Sequence, residues 1–360
     1  MNDIYIIAEA GVNHNGSSEL AHELIDVASK AGADAIKFQT FITEKLVTRD
    51  AVKANYQLKT SKNNESQFSM LKKLEISPEL HFELFDYCSS KDIQFLSTAF
   101  EKTSLSFLAN ELNLPILKIP SGEITNGPLL LDYAKTGKDL ILSTGMSTLD
   151  EIELALGVIT YGLLHQKESN VNYSIHDFME AFESPEGKNI LSNKLTLLHC
   201  TSEYPAKTKD INLNAMIKMK NRFKINVGYS DHSQGIYVPI SAATLGATII
   251  EKHFTLDRNM FGPDHQASLE PDELREMVNA IRLVGEILGD GTKAPSSSEL
   301  ENRSVSRKSL VALGSIKKGD TFSSKNLRIK RPGIGRSPMD FWKLLGEKSE
   351  KDYEDDEVIF

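Results

Sequence analysis

The chain has 360 residues, of which 40% are hydrophobic and 25% charged, and its formal net charge is −9. This length exceeds the usual size of a single hydrophobic core, so we expect one large domain and one small domain. The acidic balance argues against a nucleic-acid partner, because nonspecific binding to nucleic acid needs a basic surface.

The first part of the chain alternates between predicted strand and predicted helix. A strand over residues 4–11 reaches Glu9, and a helix capped by Ser17 follows. The next strand, over 35–40, leads into a long polar connection over 41–76. A connection of this length inside a compact domain is typical of a substrate cover or of a surface elaboration, and both interpretations stay open.

The alternation continues to about residue 288. Further strands are predicted at 94–98, 116–120, 139–143, 194–200, 225–229 and 247–250, with helices at 78–91, 102–112, 126–136, 148–159, 212–220, 236–245 and 271–288. A polar stretch over about 163–193 interrupts this rhythm and is predicted to be an insertion, with one short helix at 176–182.

Eight strands that are each followed by a helix predict a (β/α)8 barrel, a TIM barrel, over residues 1–288. A doubly wound open sheet is the alternative, which the absence of a Gly-rich dinucleotide fingerprint after the first strand weakens. Residues 289–306 are rich in Gly, Ser, Asn and charge and predict a linker. Short strands and turns over 307–360 predict a small C-terminal domain that needs docking for stability.

The cysteines and the N-terminus indicate the compartment. Cys88 and Cys200 lie inside apolar segments far apart in sequence, which predicts buried thiols rather than a disulfide framework. The first apolar run, residues 4–8, is too short for a signal peptide or a membrane span. We therefore expect a cytoplasmic protein that binds no membrane.

Two histidines near the middle of the chain each follow an apolar run. A helical stretch of small and apolar residues separates His232 from His253, which is the pattern of a parallel βαβ unit. Adjacent parallel strands would bring both imidazoles to one end of the sheet, beside Asp231 and Glu251. This spacing fits a divalent-metal site and two structural histidines equally well.

The chemistry of a parallel barrel lies at its mouth, the end where the carboxyl ends of the strands meet. The residues predicted there are mostly polar: Glu9, Lys37, Gln39, Thr98, Lys118, Ser121, Glu123, Ser143, Thr201, Ser202, Ser230, Asp231, His232, Glu251 and His253. Lysines bind phosphate or carboxylate, hydroxyl groups complete the hydrogen bonding, and two histidines could hold a metal with open positions. The mouth therefore predicts a site for a small, strongly anionic substrate and a polar co-substrate.

Each of these residues also has a structural explanation. A single lysine at a strand end is commonly a solvated charge, and a single serine is commonly a helix cap. Glu9 could simply pair with Lys37 across adjacent strands. Strand alternation points His199 into the opposite layer, so we interpret His199 as structural. The convergence of many polar groups at one end nevertheless favours a functional site.

Short motifs follow one another along nearly the whole chain. They are AEAGVNHNG at 8–16, IKFQT at 36–40, KIPSGE at 118–123, STGM at 143–146, YSDHS at 229–233, EKHFT at 251–255, GPDH at 262–265 and KRPG at 330–333. Each motif is weak by itself, but the ordered set resembles the sialic acid synthase family, the phosphoenolpyruvate-dependent N-acetylneuraminate synthases. The long loop around residues 56–58 and 65–67, YQL and ESQ, resembles the neuraminate and legionaminate branches more than the pseudaminate branch.

The resemblance implies a (β/α)8 barrel followed by an antifreeze-like domain, here residues 307–360, in a domain-swapped homodimer. It implies that phosphoenolpyruvate condenses with the open-chain aldehyde of an N-acetylmannosamine-type sugar and water, giving a nonulosonic acid and phosphate by C–O cleavage. N-acetylneuraminate synthase is the main expectation. The alternative is a legionaminic acid synthase that uses 2,4-diacetamido-2,4,6-trideoxymannose.

The same match implies roles for individual residues. His232 and His253 would hold Mn²⁺ or Mg²⁺, which would polarise the aldehyde oxygen, and Glu9 would position or deprotonate the attacking water. The residues implied to hold phosphoenolpyruvate are Lys37, Thr98, Lys118, Ser121 and Ser230. The residues implied to hold the sugar are Gln39, Glu123, Tyr204, Asp264 and the partner's Arg331.

Two other classes of protein compete with this interpretation. A metal-dependent barrel hydrolase usually carries His-x-His at the end of the first strand, where this chain has Glu9. A non-catalytic protein that binds ice or sugar through the terminal domain would leave the polar barrel mouth unexplained.

Overall fold

The computed structural model of the protein describes residues 4–53, 65–168 and 173–360. The chain divides into two compact units at Leu288/Gly289. The loop positions 56–58, which were compared with the synthase branches above, lie outside the described residues. No helix in the described ranges is long and apolar enough to cross a membrane.

The first unit is a closed barrel of eight strands in chain order, and every strand runs parallel to its neighbours. The strands are β1 (Tyr5–Gly11), β2 (Ala35–Thr40), β3 (Gln94–Ala99), β4 (Ile116–Ile119), β5 (Asp139–Ser143), β6 (Leu195–Cys200), β7 (Asn226–Asp231) and β8 (Ile249–His253). Closure occurs between β8 and β1, where Glu9 lies opposite His253. The predicted (β/α)8 barrel is confirmed, and the open sheet is excluded.

Helices connect these strands and cover the outside of the barrel. They are α1 (Ser18–Ala31), α2 (Thr43–Leu46), α3 (Gln67–Lys72), α4 (Pro78–Ser90), α5 (Lys102–Ser106), α6 (Gly127–Lys135), α7 (Leu149–Leu164), α8 (Ile175–Glu183), α9 (Pro185–Lys194), α10 (Asn214–Phe223), α11 (Tyr237–Thr244) and α12 (Pro271–Leu288), with one π-helical turn at Phe107–Glu111. Ser17 caps α1 as predicted, since its hydroxyl accepts from the backbone of Leu20. Cys88 and Cys200 are buried free thiols, which confirms that prediction.

The segment 163–193 differs from the prediction of a polar insertion with one short helix. It contains the end of α7, then α8 and most of α9. Phe178 and Met179 of α8 pack against the main core of the barrel unit. Ser184 caps α9 with Pro185 at the first helical position. The sequence of this helix shows no apolar periodicity, because the helix buries only Gly187 and Leu191.

The second unit has its own small core. An antiparallel pair, β9 (Ser309–Ala312) and β10 (Leu327–Lys330), packs with the short helix α14 (Phe341–Leu344). A further helix of this unit, α13 (Ser297–Ser306), is exposed along its length. Buried side chains that include Leu310, Phe322 and Tyr353 form the core. Residues 297–306 are therefore helical where a linker was predicted, because Ser296 and Glu299 form a capping box that starts α13. The antifreeze-like assignment of this unit stays a prediction.

Candidate active site

A cavity of about 500 Å³ opens at the mouth of the barrel. Its chemistry follows from strand alternation, because side chains two residues apart on a strand share one face. Ile7 and Ile249 belong to the apolar layer that fills the barrel. Glu9 and Glu251, two residues further along the same strands, line the cavity above that layer.

Most residues predicted to form the site line this one cavity. They are Glu9, Lys37, Gln39, Thr98, Lys118, Ser121, Tyr204, Ser230, His232, His253 and Asp264. Ser143, Ser202 and Glu251, which were predicted at strand ends, also line the cavity. The sequence analysis placed Glu251 beside the two histidines and gave Ser143 and Ser202 no individual role. Gln67, from α3, lines the cavity as well and was not predicted there.

One predicted sugar contact of the first unit, Glu123, is not among the residues that line the cavity. The Glu123 carboxylate accepts a hydrogen bond from the Asn126 side-chain amide at 2.7 Å, at the start of α6. Arg331 belongs to the second compact unit. The roles of Glu123 and of the partner's Arg331 in binding the sugar stay predictions.

Two lysines and two carboxylates form a buried network at the bottom of the cavity. The Lys37 ammonium lies 2.7 Å from Glu9 Oε2 and 3.6 Å from Glu251 Oε2. The Lys118 ammonium lies 3.8 Å from Glu251 Oε1 and donates to the Ser143 hydroxyl at 2.6 Å. All four charged side chains are at most 6% exposed. The pair of Glu9 and Lys37, foreseen as the structural alternative, is thus present within a larger charged site.

The two carboxylates of this network titrate differently. Burial raises the pKa of Glu9 to about 7, although Lys37 opposes this shift. Burial also acts on Glu251, but Lys118 and Lys37 outweigh it and lower the pKa of Glu251 to about 2. Two carboxylates whose pKa values are separated in this way have separate roles. Glu251 stays ionised, whereas Glu9 can accept and return a proton near neutral pH.

His232 and His253 lie side by side, as the βαβ pattern predicted, with ring centroids 5.7 Å apart. The Nδ1 atom of His232 lies 2.7 Å from the Thr201 carbonyl and therefore carries the proton, which leaves Nε2 as an acceptor 3.2 Å from the Tyr204 hydroxyl. The Nδ1 atom of His253 is buried and has no hydrogen-bond partner among the described residues. Burial lowers the pKa of both histidines, so both are neutral near pH 7.

This pair of imidazoles fits a divalent metal ion. Both rings are neutral, one offers an Nε2 acceptor, and the other has a buried nitrogen without a partner. Within 4–53, 65–168 and 173–360, no group of three or more His, Cys, Asp and Glu residues is arranged to hold a metal. The two histidines would therefore leave most coordination positions to substrate and water, as catalytic ions require.

The loop after β8 is fixed to the loop after β1. The Asn13 amide donates to the Phe254 carbonyl at 2.8 Å and to the Ser268 hydroxyl at 3.0 Å, and Ser268 donates to the Asp264 carbonyl at 2.7 Å. Burial raises the pKa of Asp264 to about 6. This chain of hydrogen bonds fixes the backbone of Asp264, which lines the same cavity as the two histidines.

A second buried ion pair joins β7 and β8 on the faces of these strands that are opposite to the cavity. The Lys252 ammonium is 2.5 Å from Asp231 Oδ2, and both side chains are 0% exposed. Asp231 also accepts from the backbone and the hydroxyl of Ser233. Because Asp231 and Lys252 alternate with the cavity residues, we assign this pair to stability rather than to chemistry.

Replacing Lys252 with Met is expected to lower the free energy of unfolding by about 3–5 kcal/mol, because Asp231 would keep a buried charge without a partner. The midpoint of urea-induced unfolding measures this change. Lys188→Met is the control, since Lys188 pairs with Glu183 at the surface, and we expect no resolvable shift. Equal shifts for the two variants would contradict the assignment.

The closed barrel and its charged mouth define an enzyme of the (β/α)8 class with a site for an anionic substrate. Residues 24–293 match the model of the NeuB family. The chain belongs to this family, the sialic acid synthases.

Relatives with known names align along the whole chain. It is 48% identical over 359 residues to N,N'-diacetyllegionaminic acid synthase from Campylobacter jejuni, covering 100% of this chain and 99% of that one. It is 42% identical over 344 residues to the synthase of the same name from Legionella pneumophila, covering 96% and 90%. The crystal structure of N-acetylneuraminic acid synthetase from Leptospira borgpetersenii, in complex with citrate, superposes with a TM-score of 0.65 at 35% identity, covering 84% and 90%.

Proposed function

We propose that this protein is an N,N'-diacetyllegionaminic acid synthase, which condenses phosphoenolpyruvate with 2,4-diacetamido-2,4,6-trideoxymannose and water and releases phosphate. The observation that carries the proposal is the 48% identity, over the full length, to the Campylobacter synthase of that name. This favours the alternative of the sequence analysis over its main expectation. N-acetylneuraminate synthase is the second candidate, supported by the 35% identity to the Leptospira structure.

The buried lysines suit the binding of phosphoenolpyruvate. Lys37 and Lys118 bring two positive charges to the cavity floor, and the hydroxyls of Thr98 and Ser143 accept from them at 2.9 and 2.6 Å. In a site that excludes water, such fixed charges hold phosphate or carboxylate strongly. Glu251 keeps the lysines paired before the substrate arrives, and its hydrogen bond from Ser230, at 2.8 Å, fixes its position.

The histidine pair suits the sugar aldehyde. Mn²⁺ or Mg²⁺, when held by His232 and His253, supplies Lewis-acid polarisation of a carbonyl oxygen. Tyr204 packs over His232, with ring centroids 4.2 Å apart, and restricts the orientation of that ring. Asp264 and Gln39 line the same cavity and can bind the hydroxyl and amide groups of the sugar.

The proposed reaction then depends on one proton acceptor. The enol carbon of phosphoenolpyruvate forms a bond to the aldehyde carbon, and water adds to the resulting cationic carbon. Glu9 takes one proton of that water and returns it to the alkoxide formed from the aldehyde oxygen. The tetrahedral species then expels phosphate by C–O cleavage as its new hydroxyl becomes the ketone, and the proton of that hydroxyl leaves with the phosphate. A carboxylate with a pKa of about 7 suits this task at neutral pH. Lys37, at 2.7 Å, orients the Glu9 carboxylate.

The assembly is a further part of the proposal. The resemblance of the motifs, including KRPG at 330–333, supports a domain-swapped homodimer with an antifreeze-like second unit. In that arrangement the partner's Arg331 would contact the acyl amide of the sugar.

Phosphate release with phosphoenolpyruvate and Mn²⁺ tests the function across three sugars: 2,4-diacetamido-2,4,6-trideoxymannose, N-acetylmannosamine and N-acetylmannosamine 6-phosphate. We expect kcat/KM for the first sugar to exceed the others by at least about tenfold, the scale of discrimination by a few substituents. Faster turnover of N-acetylmannosamine would favour the second candidate. Release with none of them would reject the synthase.

A further inference from the structure

One side of the active-site cavity is apolar. A cluster separate from the main core lines it, and we call this surface the apolar wall. Its members are Val12, Phe41, Leu46, Met70, Leu71, Leu74 and Phe100. Val12, Phe41, Met70 and Leu74 are buried, whereas Leu46 and Leu71 are partly exposed. The charged and polar residues described above line much of the remaining cavity.

The apolar wall lies further along the strands than the charged network. Phe41 follows Lys37 and Gln39 along β2 and out of its carboxyl end, and Val12 follows Glu9 in the same way along β1. Chain direction therefore places the lysines deeper in the barrel and the wall nearer the opening. His253 lies opposite Glu9, so a sugar whose aldehyde lies at the histidine pair can extend its other end towards the opening, where the wall lies.

Contacts on the outer side of the wall keep it in place. The backbone N–H of Thr43, which starts α2, donates to Glu75 Oε1 at 2.7 Å. The Lys72 ammonium, at the end of α3, lies 3.0 Å from Glu44 and 2.9 Å from Glu75. These contacts tie α2 to α3, so the surface that Leu46 and Leu71 present is held before substrate binds.

We propose that the apolar wall is the specificity determinant for the far end of the sugar, and that it receives the C6 methyl group of a 6-deoxy substrate. This inference rests on the proposed function, and it means that the residues of the wall distinguish a C6 methyl group from a C6 hydroxyl group. Moving a methyl group from water onto such an apolar surface lowers its free energy. A 6-hydroxyl group in the same place loses its hydrogen bonds to water, because these side chains offer none.

The test compares two sugars that differ only at C6, 2,4-diacetamido-2,4,6-trideoxymannose and 2,4-diacetamido-2,4-dideoxymannose. Leu71→Asn replaces the side chain of Leu71 with a polar one of similar shape. We expect kcat/KM for the 6-deoxy sugar to fall about tenfold, the scale of one methyl group in a pocket, and kcat/KM for the 6-hydroxy sugar to change less than about threefold. The KM for phosphoenolpyruvate is expected to stay within about twofold, because the lysines that bind it lie deeper.

Leu154→Asn is the matched control, since Leu154 is 41% exposed on α7 and does not line this cavity. Leu46→Asn provides an independent variant should Leu71→Asn fold poorly. Equal losses for the two sugars, or a similar rise in the KM for phosphoenolpyruvate, would overturn the inference while the proposed function stands. Absence of turnover of the 6-deoxy sugar by the unaltered protein would overturn both.

Discussion

Replacing Glu9 with Gln is expected to lower kcat by about 100- to 10,000-fold, the usual contribution of a general base. The amide is the same size as the carboxylate and can still contact Lys37, but it cannot take the proton of the attacking water. Binding of phosphoenolpyruvate depends on Lys37 and Lys118, so its KM is expected to change far less than kcat. Steady-state phosphate release measures both constants.

The pH profile separates a catalytic role of Glu9 from a structural one. Its pKa of about 7 means that the carboxylate is lost by protonation as the pH falls below neutrality. The kcat of the unaltered protein should therefore fall about tenfold per pH unit on that acidic limb. Glu9→Gln should lack this limb, whereas the surface control Glu19→Gln should keep it. A Glu9→Gln variant with more than about one tenth of the original kcat would contradict a role as base.

Replacing His232 with Gln is expected to weaken binding of Mn²⁺ by at least about 100-fold. Removing a residue that only hydrogen-bonds to a metal ligand already weakens metal binding by up to about 100-fold, and removing the ligand itself should cost more. Activity should fall in parallel and recover in part at high Mn²⁺. Treatment with EDTA should abolish the activity of the unaltered protein, and Mn²⁺ or Mg²⁺ should restore it. Calorimetric titration with Mn²⁺ gives the affinity without reference to turnover.

His199→Gln is the matched control for the metal site. His199 lies on the adjacent strand β6, but its Nε2 atom lies 2.7 Å from the Ile211 carbonyl and its ring packs beside Tyr229. Its loss should affect stability and leave the affinity for Mn²⁺ unchanged. If the His232→Gln variant bound Mn²⁺ as tightly as the unaltered protein, the proposed ligand set would be wrong. His232 and His253 would then be structural histidines.

The barrel and its polar mouth could be predicted because the signals are local. Period-two alternation places Glu9, Lys37 and Glu251 on the inner face whatever the rest of the chain does. Ser17 and Thr148 mark helix starts by side-chain capping, which needs only neighbouring residues. Where local signals are weak, prediction failed: α9 buries few apolar side chains, and α13 depends on a capping box inside a polar stretch.

The different roles of Glu9 and Glu251 could not be predicted from the sequence, because they depend on the assembled barrel. Glu9 and Glu251 are both carboxylates at strand ends, yet their pKa values lie near 7 and 2 because Lys118 and Lys37 contribute differently to each. That difference depends on distances across the barrel interior between residues far apart in sequence.

The amino-acid sequence by itself determined the order of strands and helices, the inward-facing polar residues and the histidine pair, since each depends on spacing within one or two elements. Only the tertiary structure decided which carboxylate titrates near neutrality, which pair of charges is structural, and where the cavity is apolar. The apolar wall combines residues from the segments after β1, β2 and β3 with residues of α2, of α3 and of the turn after α3. Burial and charge coupling act through space, so they appear only when barrel closure brings distant segments together.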